Sequence, residues 1–326
     1  MTGKTIALAL AATVAFAGAA NAVELDPKLY AYKPTSGVSG NLKSIGSDTL
    51  NNLMTLWAEG FKSAYPNVKI EIEGKGSSTA PPALIAGTSH FGPMSRAMKG
   101  AEIDKFEKKF GYKPVPFRSA VDALAVFVHK DNPIKCLSLQ QVDAVFSKTR
   151  KGGMDKDVAT WGQLGLTGDW ASKPISLYGR NSASGTYGYF KEVGLFNGDY
   201  KDSVKEQPGS STVVQGVASD KYAIGYSGIG YATADVRALP LSKKTGDKCA
   251  AANADNAYAG TYPLARFLYI YVNANPNQAL DPLRAEFIKY VFSKEGQKVV
   301  IKDGYYPVTR AVADEDLKKL KINAGS

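Results

Sequence analysis

Residues 42–61 read LKSIGSDTLNNLMTLWAEGF and combine a strand, a loop and a helix in one short stretch. The pattern predicts a strand near Leu42 to Ile45, the loop Gly46-Ser47-Asp48-Thr49, and a helix from about Leu50 to Tyr65. One face of that helix is apolar and consists of Leu53, Leu56, Trp57 and Phe61. Units of this kind recur from Leu42 onward, which predicts an α/β protein with largely parallel sheets.

Two further units follow the first. A strand at Val68 to Ile72 leads into the loop 74–79, and Pro81 stands at the start of the next helix, where its missing N–H costs nothing. The segment 90–96 ends a third unit with Ser95 and Arg96. Open α/β sheets bind ligands beyond the carboxyl ends of their strands, so we expect these loops to border one site. Arg96 alone would be interpreted as a surface residue.

A second body is expected to begin at Ala123 to His129. It contains a predicted strand at Ile175 to Tyr178, which leads to Arg180 and the turn Ser184-Gly185-Thr186. The run Phe267 to Val272 is a strand that could return to the first body. Two C-terminal helices, near residues 282–293 and 295–302, would then close that first body.

Three loops share one chemistry, namely 46–49, 76–79 and 180–186. Each is rich in hydroxyl groups, contains glycine and precedes a predicted helix, so each could direct backbone N–H and side-chain O–H donors to a common point. A single such loop would be interpreted as an ordinary helix N-cap, because Ser, Thr and Asp are preferred there. Three together, one carrying Arg180, predict an oxyanion site that needs no metal.

The N-terminus predicts export. Lys4 precedes an apolar stretch from Ile6 to Phe16, and small residues lead to Ala22, which is the order of a cleavable secretory signal peptide over residues 1–22. The apolar stretch is too short to span a bilayer, and no cysteine lies near the cut to carry a lipid anchor. A soluble periplasmic protein is therefore expected.

Composition disfavours several other classes. The formal charge of +10 would speed the approach of anions, but export fits poorly with nucleic-acid binding. The chain has only two histidines, His90 and His129, and lacks HExxH and GxSxG motifs, so we expect no metal, no cofactor and no catalytic residues. The two cysteines, Cys136 and Cys249, could form one disulfide in an oxidising compartment; two buried free thiols are the alternative.

From Ser44 to Val308 the chain resembles the periplasmic phosphate-binding component of the phosphate-specific ABC transporter, within the class of two-lobed periplasmic binding proteins. The matching pieces are Gly46-Ser47-Asp48-Thr49, Gly76-Ser77-Ser78, Phe91-Gly92 with Ser95-Arg96, Arg180 with Ser184-Gly185-Thr186, Ala223 to Tyr226, and Phe287 to Pro307. This resemblance implies a lobe of residues 41–119 plus 262–326, a second lobe of residues 120–261, and an anion buried between them.

The resemblance also implies the function and the site. It implies high-affinity capture of inorganic phosphate in the periplasm by lobe closure, and delivery to the membrane permease of an ABC importer by a monomer. Carried over position by position, the phosphate-binding residues are Ser47, Asp48, Thr49, Ser77, Ser95, Arg180, Ser184, Gly185 and Thr186, with Ser78 and Arg96 as weaker candidates.

One departure from the family bears on selectivity. Many members have an aspartate where this chain has Ser95, and that carboxylate accepts the proton that phosphate carries and sulfate lacks. Asp48 could supply the acceptor here, or it could simply cap the following helix. If neither residue accepts the proton, the ligand is a tetrahedral oxyanion such as phosphate, arsenate or sulfate.

Two other classes of function remain open from the sequence. A secreted phosphatase or phosphoryl-transfer enzyme would use Ser47 or Thr186 as nucleophile, but it needs a base or metal beside the hydroxyl, and no such spacing is present. An exported adhesive or surface protein could reuse the same fold, because fold alone does not determine function.

Overall fold

The computed structural model describes residues 23–323, so the predicted signal peptide lies outside the described residues. The strands are β1 Gly40–Ile45, β2 Val68–Glu73, β3 Phe91–Met94, β4 Val115–Ala123, β5 Ala125–His129, β6 Leu137–Ser138, β7 Ser176–Arg180, β8 Lys205–Gln207, β9 Ala223–Ser227, β10 Val236–Ala238, β11 Leu241–Ser242 and β12 Ala265–Val272. The α-helices are α1 Asn51–Ala64, α2 Ala80–Ala86, α3 Gly100–Phe110, α4 Leu139–Phe146, α5 Gly185–Tyr189, α6 Ser210–Ser219, α7 Ala254–Tyr258, α8 Pro282–Phe292, α9 Lys294–Lys302 and α10 Arg310–Lys319.

Two five-stranded sheets organise the chain into two bodies. The first body contains the sheet β2-β1-β3-β12-β4, and the second body contains the sheet β10-β5-β9-β7-β8. In the first sheet, β1 pairs in parallel with β2 and β3, and β12 pairs antiparallel with β3 and β4. In the second sheet, β7 pairs in parallel with β8 and β9, and β5 pairs antiparallel with β9 and β10. The predicted two-bodied α/β fold is confirmed, and its parallel pairs are those of the strand-loop-helix units.

Each body has its own apolar core. In the first, the predicted helix α1 buries Leu53, Trp57 and Phe61, and the Trp57 Nε1 donates a hydrogen bond of 2.8 Å to the Gly296 carbonyl oxygen on α9. The C-terminal helices α8 and α9 contribute Phe287 and other residues to the same core, as expected. Within residues 23–323, no helix is long and apolar enough to cross a membrane.

The chain passes between the bodies at two places that lie side by side. Leu124 links β4 to β5, and Leu264 precedes β12, which returns to the first sheet as the sequence predicted. The Leu124 N–H donates to the Leu264 carbonyl oxygen at 3.1 Å. The bodies therefore share a narrow backbone connection, which favours movement of one against the other. The exact lobe limits at 119/120 and 261/262 stay a prediction.

Cys136 and Cys249 form a disulfide in the second body, with Cα atoms 6.3 Å apart, so the predicted pairing is confirmed. The bond joins residues that are 113 positions apart in sequence and lies beside the two-stranded sheet of β6 and β11. It therefore closes a loop that contains most of the second body.

We predict that the double variant Cys136→Ser/Cys249→Ser is less stable than the parent. Closing a loop of this length stabilises by about 4 to 5 kcal/mol in the chain-entropy model, because it restricts the unfolded chain. Guanidinium unfolding followed by fluorescence should show a lower midpoint for the variant, and reductant should lower the parent to the same midpoint. An unchanged midpoint, or two free thiols in unreduced exported protein, would contradict the prediction.

Candidate functional site

Five buried hydroxyl groups meet between the two bodies. This hydroxyl cluster consists of Ser47, Thr49, Ser77, Ser95 and Thr186. The Ser47 Oγ donates to the Ser95 Oγ at 3.1 Å, and the Ser77 Oγ lies 3.3 Å from the same atom. Hydroxyl groups can turn their hydrogens toward a shared acceptor, so the cluster can present several donors to one anion.

The first four members follow neighbouring parallel strands. Ser47 and Thr49 follow β1, Ser77 follows β2, and Ser95 follows β3, and these strands lie in the order β2-β1-β3. The Ser47 N–H donates to the Pro93 carbonyl oxygen at 2.8 Å, which holds two of the loops together. The crevice expected from the sequence, beyond the carboxyl ends of these strands, is where the loops meet.

The fifth member comes from the second body and makes the cluster span the cleft. The Thr186 Oγ1 lies 2.9 Å from the Thr49 Oγ1. Nearby, the backbone N–H and the hydroxyl group of Ser78 donate to the Ala183 carbonyl oxygen at 3.1 and 3.0 Å. These hydrogen bonds exist only while the two bodies are in contact, so the structure shows the closed arrangement of the cleft.

Glycine permits this close approach at two positions. Gly76 has φ +113°, and a Cβ atom there would stand 2.5 Å from the Ala183 carbonyl oxygen. A Cβ atom on Gly185 would stand 2.2 Å from the Ser77 Oγ and 2.7 Å from the Ser95 Oγ. All three distances are shorter than any van der Waals contact, so side chains at either position would hold the bodies apart.

Arg180 is the last residue of β7 and only 1% exposed, so it is not a surface residue. Its Nη1 donates to the Ser210 Oγ at 2.6 Å, and its Nη2 donates to the Pro208 carbonyl oxygen at 2.9 Å. Burial lowers the pKa of Arg180 while the neighbouring Asp48 opposes that shift, and a guanidinium remains charged in proteins. The buried Nε has no hydrogen-bond partner within residues 23–323.

Asp48 acts across the cleft rather than on its own helix. Its Oδ2 accepts hydrogen bonds of 2.8 Å from both the N–H and the Oγ of Ser210, the first residue of α6, and lies 3.2 Å from the Arg180 Nη1. No side-chain cap bond forms at the 3₁₀ turn 48–50 or at α1, so the helix-cap alternative is wrong for that helix. Asp48 therefore links the first body to the second.

The remaining candidates differ in their use. The Ser184 Oγ accepts hydrogen bonds from the N–H groups of Thr186 and Tyr187, so it caps α5 as a helix N-cap residue does. Ser78 is exposed apart from its contact with the second body. Arg96 is 8% exposed and forms a bidentate pair with Glu102 at 2.8 Å on both sides, so it is not a free surface residue, and its guanidinium is occupied.

The sequence analysis missed Ser210, Asp122 and Arg266. The Arg266 Nη2 donates to the Thr186 Oγ1 at 2.9 Å and, with Nε, to the Asp122 Oδ2 at 2.8 and 3.0 Å. Burial raises the pKa of Asp122, and the Arg266 guanidinium opposes that rise. Arg266 is the single charge of the otherwise apolar β12, and Asp122 interrupts the apolar end of β4, residues 120–123; a buried charge needs a partner. That signal could have identified the pair.

Comparisons with known proteins identify the family of this chain. Residues 31–295 match the PBP superfamily domain. The phosphate-binding protein PstS of Pseudomonas aeruginosa is 59% identical over 320 residues, which cover 98% of this chain and 99% of that protein. The chain therefore belongs to the PBP superfamily and, within it, to the family of the phosphate-binding protein PstS.

Solved structures show the same fold. A Clostridium perfringens protein assigned as a phosphate ABC transporter substrate-binding protein, with bound phosphate, has a TM-score of 0.69 and 26% identity, covering 83% of this chain and 100% of that chain. An ABC-type phosphate transport receptor from Vibrio cholerae has a TM-score of 0.63 and 22% identity, covering 82% of this chain and 100% of that chain, and shows the fold alone. Family membership confirms the expected substrate-binding class over an enzyme.

We predict that Gly185→Ala weakens oxyanion binding by about 10- to 100-fold, because an added methyl group would overlap Ser77 across the cleft and overpacking costs about 1 to 3 kcal/mol. Calorimetric titration with inorganic phosphate as the probe measures the effect. Gly188→Ala in the same helix is the matched control, since its Cβ atom would lie 3.3 Å from the flexible Arg96 side chain. Equal affinities for the two variants would contradict the cross-cleft packing.

Proposed function

We propose that this protein captures inorganic phosphate in the periplasm and delivers it to the membrane permease of an ABC importer. The observation that carries the proposal is the hydroxyl cluster, which is buried and supplied by both bodies. Asp48, which lies between its members Ser47 and Thr49, pairs with the charged Arg180. Membership of the PstS family supports phosphate as the ligand. The site residues of the proposal are those named from the sequence, with Arg180 as the charged contact.

Arg180 would bind the anion through the donor that the protein leaves unused. A buried N–H without a partner costs about 1 to 3 kcal/mol, and the Nε of Arg180 is such a group within the described chain. An oxygen of phosphate would satisfy it and gain a charge-assisted hydrogen bond. The hydroxyl cluster would supply donors to the remaining oxygens, which a tetrahedral anion needs once its water is removed.

Closure of the bodies would complete the shell of donors around the anion. Thr49 and Ser77 belong to the first body and Thr186 to the second, so the full set assembles only in the closed arrangement. Phosphate would therefore stabilise closure by its higher affinity for that state. In this proposal the lobes are those expected from the sequence, residues 41–119 with 262–326 and residues 120–261, except that the first crossing moves to Leu124 because β4 belongs to the first sheet as far as Ala123. The protein works as a monomer.

The direct test is to purify the exported protein, denature it, and assay the anion it releases. We expect close to one phosphate per chain, since a buried and fully hydrogen-bonded ligand should survive purification. Release of sulfate or arsenate would mean that the bound ligand is a tetrahedral oxyanion other than phosphate. Absence of any released anion, together with no binding of added phosphate, would overturn the proposal, and steady turnover of a phosphate ester would favour the phosphatase alternative.

We predict that Arg180→Ala costs at least about 2 to 3 kcal/mol of phosphate binding, the range for a contact to a charged group. The physical reason is that lysine or a smaller residue cannot replace the planar guanidinium, which donates in two directions at once. Calorimetric titration of phosphate-stripped protein with phosphate measures this loss of binding free energy. An affinity within about threefold of the parent would remove Arg180 from the site.

Asp48 is the proposed acceptor for the proton of phosphate. Its Oδ2 takes the bonds from Ser210 and lies near Arg180, whereas its Oδ1 has no hydrogen-bond partner in the described part of the chain. A bare carboxylate and a fully ionised anion repel in a desolvated cleft, so a proton must lie between them. Phosphate carries such a proton near neutral pH, and sulfate does not.

We therefore expect Asp48→Asn to lower the affinity for phosphate relative to the affinity for sulfate by about tenfold or more, which is about 1.4 kcal/mol per tenfold. The amide keeps an oxygen for the Ser210 donors and replaces the second acceptor by a donor. Calorimetric titrations in which the two anions compete give the ratio of the phosphate affinity to the sulfate affinity. An unchanged ratio with a uniform loss of affinity would restrict Asp48 to linking the two bodies.

A further inference from the structure

Arg266 lies directly behind the hydroxyl cluster and is held in one orientation. It is the second residue of β12 and only 7% exposed. Two of its nitrogens donate to the Asp122 Oδ2, while the Asp122 Oδ1 accepts a hydrogen bond of 3.0 Å from the N–H of Ile229. The carboxylate is fully buried, so the guanidinium cannot leave it without exposing an unpaired charge in the interior.

The other contacts of Arg266 reach the anion site. Its Nη1 donates to the Ser95 carbonyl oxygen at 2.7 Å, and its Nη2 donates to the Thr186 Oγ1 at 2.9 Å. A guanidinium has donors only, so the hydroxyl oxygen of Thr186 must be the acceptor in this pair. The single hydrogen of that hydroxyl group is then available only for a different direction, toward the rest of the cluster.

We propose that Arg266, anchored by Asp122, is a positioning residue that makes the Thr186 hydroxyl group a donor to the bound oxyanion and joins the two bodies around it. The inference rests on the proposed function and deepens it. A hydroxyl group that is free to rotate can donate or accept, and an accepting hydroxyl would repel an anion oxygen. Arg266 removes that freedom before the anion arrives, which is preorganisation of the site.

The same pair acts on closure. Arg266, Asp122 and Ser95 belong to strands or loops of the first sheet, whereas Thr186 and Ile229 follow strands of the second. Both members of the ion pair therefore make one hydrogen bond across the cleft. Because Asp122 balances the charge of Arg266, the pair adds directed donors to the site without adding net charge.

The test uses Arg266→Met, which keeps side-chain length without donors, and Thr186→Val, which keeps shape without the hydroxyl group. We expect Arg266→Met to weaken phosphate binding by about 10- to 100-fold, as for a lost hydrogen-bond network to a charged group. Arg266→Lys should recover part of the affinity. In the Thr186→Val background, Arg266→Met should weaken binding by less than about threefold, because the hydroxyl group through which it acts is gone.

Arg118→Met is the matched control. Arg118 lies on the neighbouring strand β4 and forms the same kind of arginine–aspartate pair with Asp316, and its hydrogen bonds go to Asp316 and Glu315 rather than to the cluster. The Arg118→Met variant should have a lower midpoint of thermal unfolding and an unchanged affinity for phosphate. If Arg266→Met acted only by a general loss of folding, its effect on phosphate affinity would add to that of Thr186→Val in the double variant.

The outcomes separate this inference from the proposed function. Failure of the parent to bind phosphate would overturn both. A parent that binds phosphate, with an Arg266→Met variant within about threefold of it or with additive effects in the double variant, would overturn only the role of Arg266. If Arg266→Met does not fold, the same cycle with Arg266→Lys decides, and additivity there has the same meaning.

Discussion

The closed cleft depends on one interaction, the pairing of the buried Arg180 guanidinium with the Asp48 carboxylate across the two bodies. Arg180 is 1% exposed, and a guanidinium cannot be neutralised at that depth, so its charge must be balanced by the protein. Asp48 does this from the first body while it also binds the N–H of Ser210 on the second. Opening the cleft would separate these groups and return them to water.

A second pair, Arg266 with Asp122, lies within the first sheet and contacts the hydroxyl cluster through Thr186. The two arginines are each matched by a carboxylate, so the site offers oriented hydrogen-bond donors with little net charge of its own. Selectivity then depends on which groups donate and which accept, and the formal charge of +10 acts mainly on the rate at which anions approach. This division of roles follows from geometry that spans both bodies.

Much of the fold and several site residues were accessible from local sequence patterns. The strand-loop-helix units placed Ser47, Ser77 and Ser95 after neighbouring strands, because apolar periodicity and glycine-containing loops are local signals. The return of β12 to the first sheet also followed from its apolar run.

Contacts between the bodies could not be read in the same way. Asp48 meets Ser210 from 162 positions away, and Arg266 meets Thr186 from 80 positions away. Periodicity reports which face of an element is buried and not which distant residue it faces. The lone charge of Arg266 in the apolar strand β12 is the one local sign of such a contact.

The coupling of anion binding to closure is tested most directly by small-angle X-ray scattering of phosphate-stripped protein, measured before and after phosphate is added. We predict a smaller radius of gyration with phosphate, because the donors of both bodies are brought together only in the closed cleft. A radius of gyration that stays the same while calorimetry shows phosphate binding would contradict a site completed by closure.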